Sequence, residues 1–345
     1  GETHERDVAS FAVWPRPRVR RDDTFFRDVI SCWEGDARQL KQAARLGQGW
    51  VINHDMMQST WWAHLQPTNG PFQWQKHAYQ VTNAVAHGFR IVGSFHTAPR
   101  WASVDPQTAR EETKGGYPLP TVPAIGPWRT YVTETVRHYK DRIRIWQVGN
   151  EPHVPLFWSG SIEQFAERCQ VAAEAAHRAD PGCTVLGSGL ALDYAPWLER
   201  FARAGGFARF DAVSYHAYVH DGPPEELYEN LEQTLANLKR LLRDHPPHRE
   251  LPIWNTEGGS YSTTWLRGER PEHAMSWRAP AYALVKHYAI EQSLGVVCHF
   301  YYLQNGGNAA GLSPLDVNRA PLPLLMARLA MQAQVDGLAC KGVYR

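Results

Sequence analysis

The chain has 345 residues, and its 36 Lys and Arg against 35 Asp and Glu give a net charge of +1. With no basic block and no acidic tail, this balance argues against a nucleic-acid or membrane-surface role based on charge. Hydrophobic residues make up 43% of the chain, enough to fill one large core, and no apolar run is long enough to span a membrane.

Strand-like and helix-like patterns alternate along the chain from Phe25 onward. The predicted strands are 25–33, 49–54, 89–96, 143–149, 183–189, 210–218, 251–257 and 296–303. The predicted helices are 36–46, 71–87, 128–140, 161–179, 195–204, 225–244, 279–294 and 322–335.

This alternation indicates an α/β protein with parallel strands joined by right-handed crossovers. Eight strand–helix units are the number that closes into a (β/α)8 TIM barrel. A doubly wound open sheet would fit the same order, but such sheets usually have fewer units. No glycine-rich phosphate turn follows the first strand, so we predict the barrel.

Residues 1–24 lie outside the alternation and combine one apolar patch with an arginine-rich stretch. We expect an N-terminal segment packed on the outside of a catalytic barrel formed by residues 25–345. The chain begins with Gly1 rather than Met, which is compatible with a removed leader, and we expect a secreted or periplasmic protein rather than a cytoplasmic one. Five scattered cysteines without a CxxC pair indicate neither a zinc site nor a disulfide framework.

Long connections follow several predicted strands. The segments concerned are 97–127, 152–160, 258–278 and 304–320. Loops of this length in a compact domain are usually functional, and loops after parallel strands share one face of a barrel. We therefore expect them to form the walls of a cleft.

Two of the predicted strands end in glutamate. Glu151 closes the fourth strand in the tripeptide Asn-Glu-Pro, and Glu257 closes the seventh before Gly258 and Gly259. The carboxyl ends of barrel strands carry the catalytic residues of TIM-barrel enzymes. Cleavage of a glycosidic bond needs an acid and a second carboxylate, so Glu151 is the candidate acid/base and Glu257 the candidate nucleophile.

Other polar and aromatic side chains are expected at the same mouth. Asn150 precedes the acid and is placed to donate to a sugar hydroxyl. His216 and Tyr218 are two residues apart, so both point to one side of their strand, towards the nucleophile. The remaining candidates at strand ends are His54, Asp55, His96 and Tyr301.

The chain is rich in aromatic residues, with 14 Trp and 14 Tyr, many of them in predicted loops. Flat rings with a polar edge suit amphipathic ligands such as sugars, although large rings also fill large cores. Trp101, Trp158 and Trp265 are candidate sugar-binding platforms, and each is equally compatible with anchoring its own loop.

The sequence resembles the clan A retaining glycoside hydrolases, and within them the branch of β-xylosidases and α-L-iduronidases known as family 39. The resemblance covers roughly residues 25–335. The segments that carry it are Asn150–Pro152, Glu257, Asn53–Asp55, Thr97–Ala102, Ser214–Tyr218 and Ala279–Tyr302. It implies a TIM barrel, retention of anomeric configuration, Glu151 as acid/base, Glu257 as nucleophile and no metal or organic cofactor.

The chain also departs from that family. Ile52 and Asn53 occupy a stretch of the second strand where many clan members have arginine, and Tyr301 and Tyr302 stand where a tryptophan is common. No β-sandwich pattern follows the barrel. The resemblance therefore implies a carbohydrate ligand, an oligo- or polysaccharide, without naming the sugar.

Three other functions compete with a glycosidase. A barrel that has lost catalysis could remain a carbohydrate-binding protein, although both glutamates are present. A metal-dependent hydrolase would use clustered histidines, but no HxH or HExxH pattern occurs among the 16 His. A polysaccharide lyase would need a base matched to a uronic acid, which nothing in the sequence favours.

Overall fold

Parallel strands form the inner layer of the molecule and helices the outer layer, in a computed structural model. The structure describes residues 24–30, 37–45, 48–52, 58–107, 121–191, 195–220, 224–261, 279–303, 323–338 and 340–341. Apart from Thr24, the predicted N-terminal segment lies outside the described residues.

The strands begin near Phe26 and recur along the whole described chain. They are β1 Phe26–Ile30, β2 Trp50–Ile52, β3 Arg90–Phe95, β4 Ile143–Val148, β5 Thr184–Leu186, β6 Leu190–Ala191, β7 Val213–His220, β8 Ile253–Tyr261 and β9 Val296–Leu303. The helices are α1 Ala37–Arg45, α2 Trp62–Leu65, α3 Ala78–Ala86, α4 Ile125–Tyr139, α5 Ile162–Ala179, α6 Ala195–Arg203, α7 Pro224–Asp244, α8 Ala279–Ser293 and α9 Pro323–Val335.

The strands form two parallel sheets that together make a closed ring. One sheet has the order β2-β3-β4-β5 and the other the order β1-β9-β8-β7-β6. β1 lies beside β2, and Leu186 at the end of β5 bridges to Ala212 just before β7. Since β5 and β6 are two parts of one interrupted strand, the ring has the eight strands of a (β/α)8 barrel, as the sequence predicts.

The interior of the ring is a small apolar core. Inward side chains from several strands meet there: Trp50, Ile52, Val92, Leu186, Ala212, Trp254, Cys298 and Phe300. The buried guanidinium of Arg27 lies over Trp50 and Trp254, 3.9 Å and 4.6 Å from their ring centroids. Because these residues are near the amino ends of their strands, this cation–π cluster closes the barrel opposite the expected catalytic mouth.

The larger core lies between the ring and the helices. Trp62 stacks on Tyr131 of α4, with ring centroids 4.8 Å apart, and Phe95 stacks on Trp146 at 4.8 Å. α5 begins at a capping box, in which the Ser161 side chain accepts the Gln164 N–H and the Gln164 side chain accepts the Ser161 N–H. The first stack holds the segment after β2 against α4, and the capping box fixes the end of the loop after β4.

Several predicted boundaries need correction. The predicted helix 71–87 is instead a short 3-10 turn, Trp74–Lys76, followed by α3, because Trp74 stacks on Phe72 and His138 at 4.7 Å and 4.2 Å. β8 continues through Gly258 and Gly259 to Tyr261, beyond its predicted end at Glu257. In contrast, the last strand matches its predicted bounds of 296–303.

Within the described parts of the chain, no helix combines the length and the apolar character needed to cross a bilayer.

Candidate active site

Glu151 lies just beyond β4 in a sharp backbone turn. Gly149 has φ 71° and Glu151 has φ 38°, so two of three consecutive residues adopt left-handed conformations. A non-glycine residue in this region is uncommon and often marks a functional position. The N–H of Glu151 donates to the carbonyl of Ser188 at 3.1 Å, which ties the turn to the interruption between β5 and β6.

Glu257 reaches the mouth because β8 contains a bulge. Tyr215 pairs with Asn255 and His216 pairs with Glu257, so Thr256 is an extra residue without a partner on β7. Trp254 points into the barrel core, and strict alternation would turn Glu257 outwards. The extra residue reverses this alternation and directs Glu257 inwards.

His216 and Tyr218 on β7 join the two carboxylates. Nδ1 of His216 lies 2.8 Å from Oε1 of Glu151 and 3.7 Å from Oε2 of Glu257. The Tyr218 hydroxyl donates to Oε1 of Glu257. One oxygen of Glu151 and one of Glu257 lie within 4.8 Å of each other.

The two carboxylates and His216 differ in their access to solvent. The side chain of Glu151 is 23% exposed, that of Glu257 is 10% exposed and that of His216 is 2% exposed. The site is thus a recess with one carboxylate nearer to solvent and one deeper, the latter held by a tyrosine. Such an arrangement suits a proton donor at the rim and a fixed nucleophile below it.

Asn150 is buried, whereas its neighbour Glu151 is only partly buried. Among the described residues, its Oδ1 atom has no hydrogen-bond donor. A buried acceptor without a donor is costly unless a water or ligand supplies one. Asn150 is therefore placed to bind a hydroxyl group at the mouth.

His96 follows β3 and lies beneath the loops. It is 4% exposed, and its ring centroid lies 5.5 Å from that of Trp61 and 6.0 Å from that of Phe157, which it meets edge-on. His96 and Phe157 line a largely apolar pocket together with Gly149 and Trp158, between the loops after β3 and β4. His96 therefore borders the turn that carries Glu151.

The two described tryptophan candidates both bind a backbone carbonyl, Trp158 within its own loop and Trp101 in the segment that follows β2. Trp101 donates its indole N–H to the carbonyl of Gln66 at 2.9 Å, and its ring meets Trp62 edge-on. Trp158 donates to the carbonyl of Ser161 at 3.0 Å and packs on Phe165. Of the two, only Trp158 lines the pocket beside Gly149.

The prediction for Tyr301 needs correction. Cys298 and Phe300 point into the barrel core, so the intervening and following odd-numbered residues of β9 point outwards. Tyr301 accordingly lies in the outer core and is 1% exposed. Tyr302 faces inwards instead, and its ring lies 6.5 Å from that of Tyr218.

Three other predicted residues, His54, Asp55 and Trp265, lie outside the described residues. Gly189 is a residue of the mouth that the sequence pattern does not indicate as functional. Gly189 packs directly against the imidazole of His216. A glycine at the end of a predicted strand usually indicates only a turn.

Two groups of residues have metal-ligand chemistry within the described part of the chain. Each group brings one ligand-type atom per residue within 4.8 Å of the others: Glu151, His216 and Glu257 in the mouth, and His287, Glu291 and His299 between the barrel and α8. In each group a carboxylate already accepts a hydrogen bond from a tyrosine hydroxyl. Tyr218 donates to Glu257, and Tyr215 donates to Glu291. Both groups therefore fit hydrogen-bonded networks, and the expectation of no metal or cofactor stays a prediction.

Comparison with solved structures identifies the same fold in glycoside hydrolases. The chain superposes on a family 39 glycoside hydrolase from Bacteroides cellulosilyticus with TM-score 0.67 and 18% identity, covering 94% of this chain and 66% of that one. A monomeric β-xylosidase from Caulobacter crescentus gives TM-score 0.69 and 19% identity, covering 93% of this chain and 69% of that one. Xylanase 10B from Thermotoga petrophila, solved with xylobiose, gives TM-score 0.62 and 16% identity over 90% of this chain and 95% of that one.

Sequence comparison gives a shorter match. A β-xylosidase from Caldicellulosiruptor saccharolyticus is 30% identical over 122 residues, which are 33% of this chain and 25% of that protein. No protein-family model matches the chain. The chain thus spans about a quarter of this relative and about two thirds of the Bacteroides enzyme. The predicted resemblance to family 39 and the TIM barrel are confirmed in the fold.

Proposed function

We propose that this protein is a retaining glycoside hydrolase that works by double displacement. One observation carries the proposal: the carboxylates of Glu151, just beyond β4, and Glu257, at the bulge of β8, come within 4.8 Å of each other in a recess. Retaining glycosidases hold their two carboxyl groups about 5–5.5 Å apart, whereas inverting ones leave about 6.5–9.5 Å for a water molecule. The short separation favours retention.

In the first step, a carboxylate oxygen of Glu257 attacks the anomeric carbon. The bond from that carbon to the leaving oxygen breaks, and Glu151 gives its proton to the departing alcohol. The Tyr218 hydroxyl, which donates to Oε1 of Glu257, fixes the orientation of the nucleophile. A glycosyl ester on Glu257 results.

In the second step, Glu151 is a carboxylate and acts as the base. It takes a proton from a water molecule, whose oxygen attacks the anomeric carbon and displaces Glu257. Two inversions restore the original configuration. His216 is 2.8 Å from Glu151 and 3.7 Å from Glu257, so it can share a hydrogen bond with whichever carboxylate carries the negative charge.

The ligand is a carbohydrate, and β-linked xylosides are the first to test. The similar proteins carry the names β-xylosidase and xylanase, and one of them was solved with xylobiose. The choice of xylosides rests on the similarity of their barrels to this one. The buried Oδ1 atom of Asn150 can accept a hydrogen bond from a sugar hydroxyl. Asn150, His216 and Tyr218 are the proposed substrate-side supports, with His96 and Trp158 bordering them.

The test compares the wild-type protein with Glu257→Ala on aryl glycosides and xylo-oligosaccharides. We expect hydrolysis by the wild type, a loss of at least about 1,000-fold in the variant, and product of unchanged anomeric configuration by NMR. Added azide should restore activity to Glu257→Ala and yield a glycosyl azide of opposite configuration. Near-normal turnover by the variant, or an inverted product from the wild type, would contradict the proposal.

Two other outcomes separate the alternatives. Binding of a glycan without release of product would favour a carbohydrate-binding protein. The ligand-type atoms of Glu151, His216 and Glu257 also permit a metal ion. We expect activity to survive incubation with EDTA, and a loss that added zinc reverses would favour the metal-dependent hydrolase.

A further inference from the structure

A fully buried carboxylate lies behind the wall of the barrel, on the side away from the mouth. Glu291 of α8 is 0% exposed. Its Oε1 atom accepts a hydrogen bond from the hydroxyl of Tyr215 at 2.5 Å and from Nδ2 of Asn255 at 2.6 Å. Tyr215 and Asn255 are the outward-facing residues of β7 and β8, paired with each other across the two strands.

Two histidines complete the surroundings of this carboxylate. Nδ1 of His299 lies 2.6 Å from Oε2 of Glu291, and Nε2 of His287 lies 3.0 Å from Oε1. Burial alone would raise the pKa of Glu291, but the adjacent His287 and His299 hold it below its usual range. Burial and the neighbouring Glu291 carboxylate raise the pKa of Tyr215, which keeps it a hydrogen-bond donor.

Asn255 connects this carboxylate to the active site. A carboxylate only accepts hydrogen bonds, so the NH₂ group of Asn255 must face Glu291 and its oxygen must face the other way. That oxygen accepts the backbone N–H of Glu257 at 3.2 Å. The bond spans the extra residue Thr256, so one side chain closes the bulge that turns Glu257 into the mouth.

The space around the bulge is filled from both sides. A Cβ atom added at Gly258 would lie 2.6 Å from the carbonyl oxygen of Ala217, 2.7 Å from Cε1 of His299 and 2.8 Å from Nδ2 of Asn255. The bulge therefore has no freedom to shift towards α8 while Asn255 and His299 stay in place. Asn255 and His299, which face away from the cleft, thus pack against the residue that follows Glu257.

We propose that Glu291 is a positioning residue for the nucleophile: it fixes the side-chain amide of Asn255, which closes the bulge and directs Glu257. This inference rests on the proposed function only in naming Glu257 as the nucleophile. A metal ion at Glu291 is the competing explanation of the cluster. Oε1 already accepts the hydroxyl of Tyr215 and the NH₂ of Asn255, and Nδ1 of His299 already lies 2.6 Å from Oε2, so an ion would have to replace at least one of these contacts.

The first variant is Glu291→Gln, which keeps the size of the side chain and removes the requirement that Asn255 present its NH₂ group. If the amide of Asn255 reverses, it presents a donor to the donor N–H of Glu257, and the bulge loses its closing bond. The second variant, Asn255→Ala, removes that bond directly and leaves Glu291 intact.

Asp336→Asn is the matched control. Asp336 is a carboxylate only 4% exposed, and it accepts the hydroxyl of Thr24 at 2.5 Å and the N–H of Phe25 at 2.9 Å. It directly follows α9, and its two partners Thr24 and Phe25 come just before β1, so it takes no part in the hydrogen bonds around the bulge of β8. Neutralising it should cost stability in the same way, without moving Glu257.

The kinetic readout uses an aryl glycoside that the wild type hydrolyses and a 2-fluoro analogue that traps the nucleophile as a covalent ester. We expect Glu291→Gln and Asn255→Ala to lower kcat and the trapping rate by about 10–100-fold, while KM changes by less than about 3-fold. A displacement of the nucleophile by about 1 Å slows the chemical step much more than it weakens substrate binding. Asp336→Asn should stay within about 3-fold of the wild type in both rates. If kcat and the trapping rate were the same in all three variants, the proposal would be overturned.

A second readout does not depend on activity. Crystal structures of Asn255→Ala and Asp336→Asn should show the Glu257 carboxylate displaced from Tyr218 in the first and unmoved in the second. An unmoved Glu257 in Asn255→Ala overturns the positioning role even if the wild type hydrolyses no glycoside. If zinc is bound at Glu291 in the purified protein, the metal explanation replaces ours.

Discussion

Gly189 approaches His216 so closely that a Cβ atom at position 189 would lie 2.4 Å from Nε2 of the imidazole. Gly189 has φ 59°, in the left-handed region, and sits in the interruption between β5 and β6. Its N–H donates to the hydroxyl of Ser214 at 2.7 Å, which holds it against β7. The imidazole that joins the two carboxylates thus depends on the absence of a side chain opposite it.

Gly189→Ala should therefore displace His216 and reduce activity. We expect kcat/KM to fall by about 10–100-fold and the free energy of unfolding to fall by about 1–3 kcal/mol, since alanine adds both a steric clash and left-handed strain. Steady-state kinetics and urea denaturation measure the two effects. The control is Gly88→Ala: Gly88 has φ 77°, but nothing lies within 4 Å of an added Cβ.

Gly88→Ala shares the backbone strain and lacks the clash. It should lose stability and keep the wild-type kcat/KM. If both variants lose activity equally, general destabilisation rather than contact with His216 is the cause.

Tyr218→Phe tests the hydrogen bond to Glu257. The substitution removes a donor to a carboxylate that is 10% exposed, and we expect kcat to fall by about 10–100-fold with a smaller change in KM. Tyr139→Phe is the matched control. Tyr139 is a buried tyrosine of the outer core whose hydroxyl donates to the carbonyl of Ser59 at 2.9 Å.

Tyr139→Phe should cost about 1 kcal/mol in stability and leave kcat unchanged. A normal kcat in Tyr218→Phe would remove the hydroxyl from the proposed mechanism.

The sequence allowed the barrel and its two glutamates to be predicted for a local reason. Asn150–Pro152 must end a strand because proline cannot continue the ladder, and parallel strands in a closed ring end at one face. His216 and Tyr218 followed from simple alternation along β7. These features depend only on neighbours in the chain.

The features that were missed depend on contacts between distant segments. The bulge at Thr256 is closed by Asn255 and Glu291, 36 residues apart, and nothing in the pattern of 251–257 indicates an extra residue. Tyr301 and Tyr302 are adjacent in a strand with apolar residues on both faces, as strands buried on both sides are, so the sequence does not tell which one faces the mouth. A one-residue change of alternation reverses every side chain.

The aromatic cluster at the opposite end of the barrel leads to a prediction about stability. The guanidinium of Arg27 lies 3.9 Å from the centroid of Trp50, 4.6 Å from that of Trp254 and 5.6 Å from that of Phe300, and its Nε donates to the carbonyl of Thr24. Arg27→Ala should lower the free energy of unfolding by about 2–4 kcal/mol, because it removes cation–π contacts and leaves a cavity. Arg27→Lys should recover little, since an ammonium cannot stack on the rings.

Chemical denaturation measures these losses, with Arg90→Ala as the control. Arg90 is exposed, and its guanidinium lies 5.4 Å from the centroid of one ring, that of Trp50. Its removal should cost less than about 1 kcal/mol. Equal losses at both positions would mean that the burial of Arg27 contributes nothing.

His177 and Asp211 make the stability of the protein depend on pH. Nε2 of His177 lies 2.8 Å from Oδ2 of Asp211, and this hydrogen bond raises the pKa of His177 above its usual value. For Asp211, burial would raise the pKa, but the hydrogen bond from His177 brings it below the usual value. Because its pKa is raised in the folded protein, His177 stabilises the fold fully at pH values below about 6.5, the pKa of histidine in an unfolded chain. This stabilisation is lost as the pH rises through the pKa of His177 in the folded protein. A lowered aspartate pKa stabilises the fold above the unfolded value near 4 and loses its effect as pH falls through the folded pKa.

Both contributions are thus present together at about pH 5–6. His177→Gln should cost more stability at pH 5.5 than at pH 8.5, by about 0.5–1 kcal/mol, since the pair is partly exposed to solvent. His138→Gln should show the opposite sign. Burial and Arg142 lower the pKa of His138, so the native state favours its neutral form and its contribution falls as pH drops through the unfolded value. Urea denaturation of both variants at the two pH values checks this, and a cost of His177→Gln that does not change with pH would mean that the ion pair with Asp211 has no energetic effect.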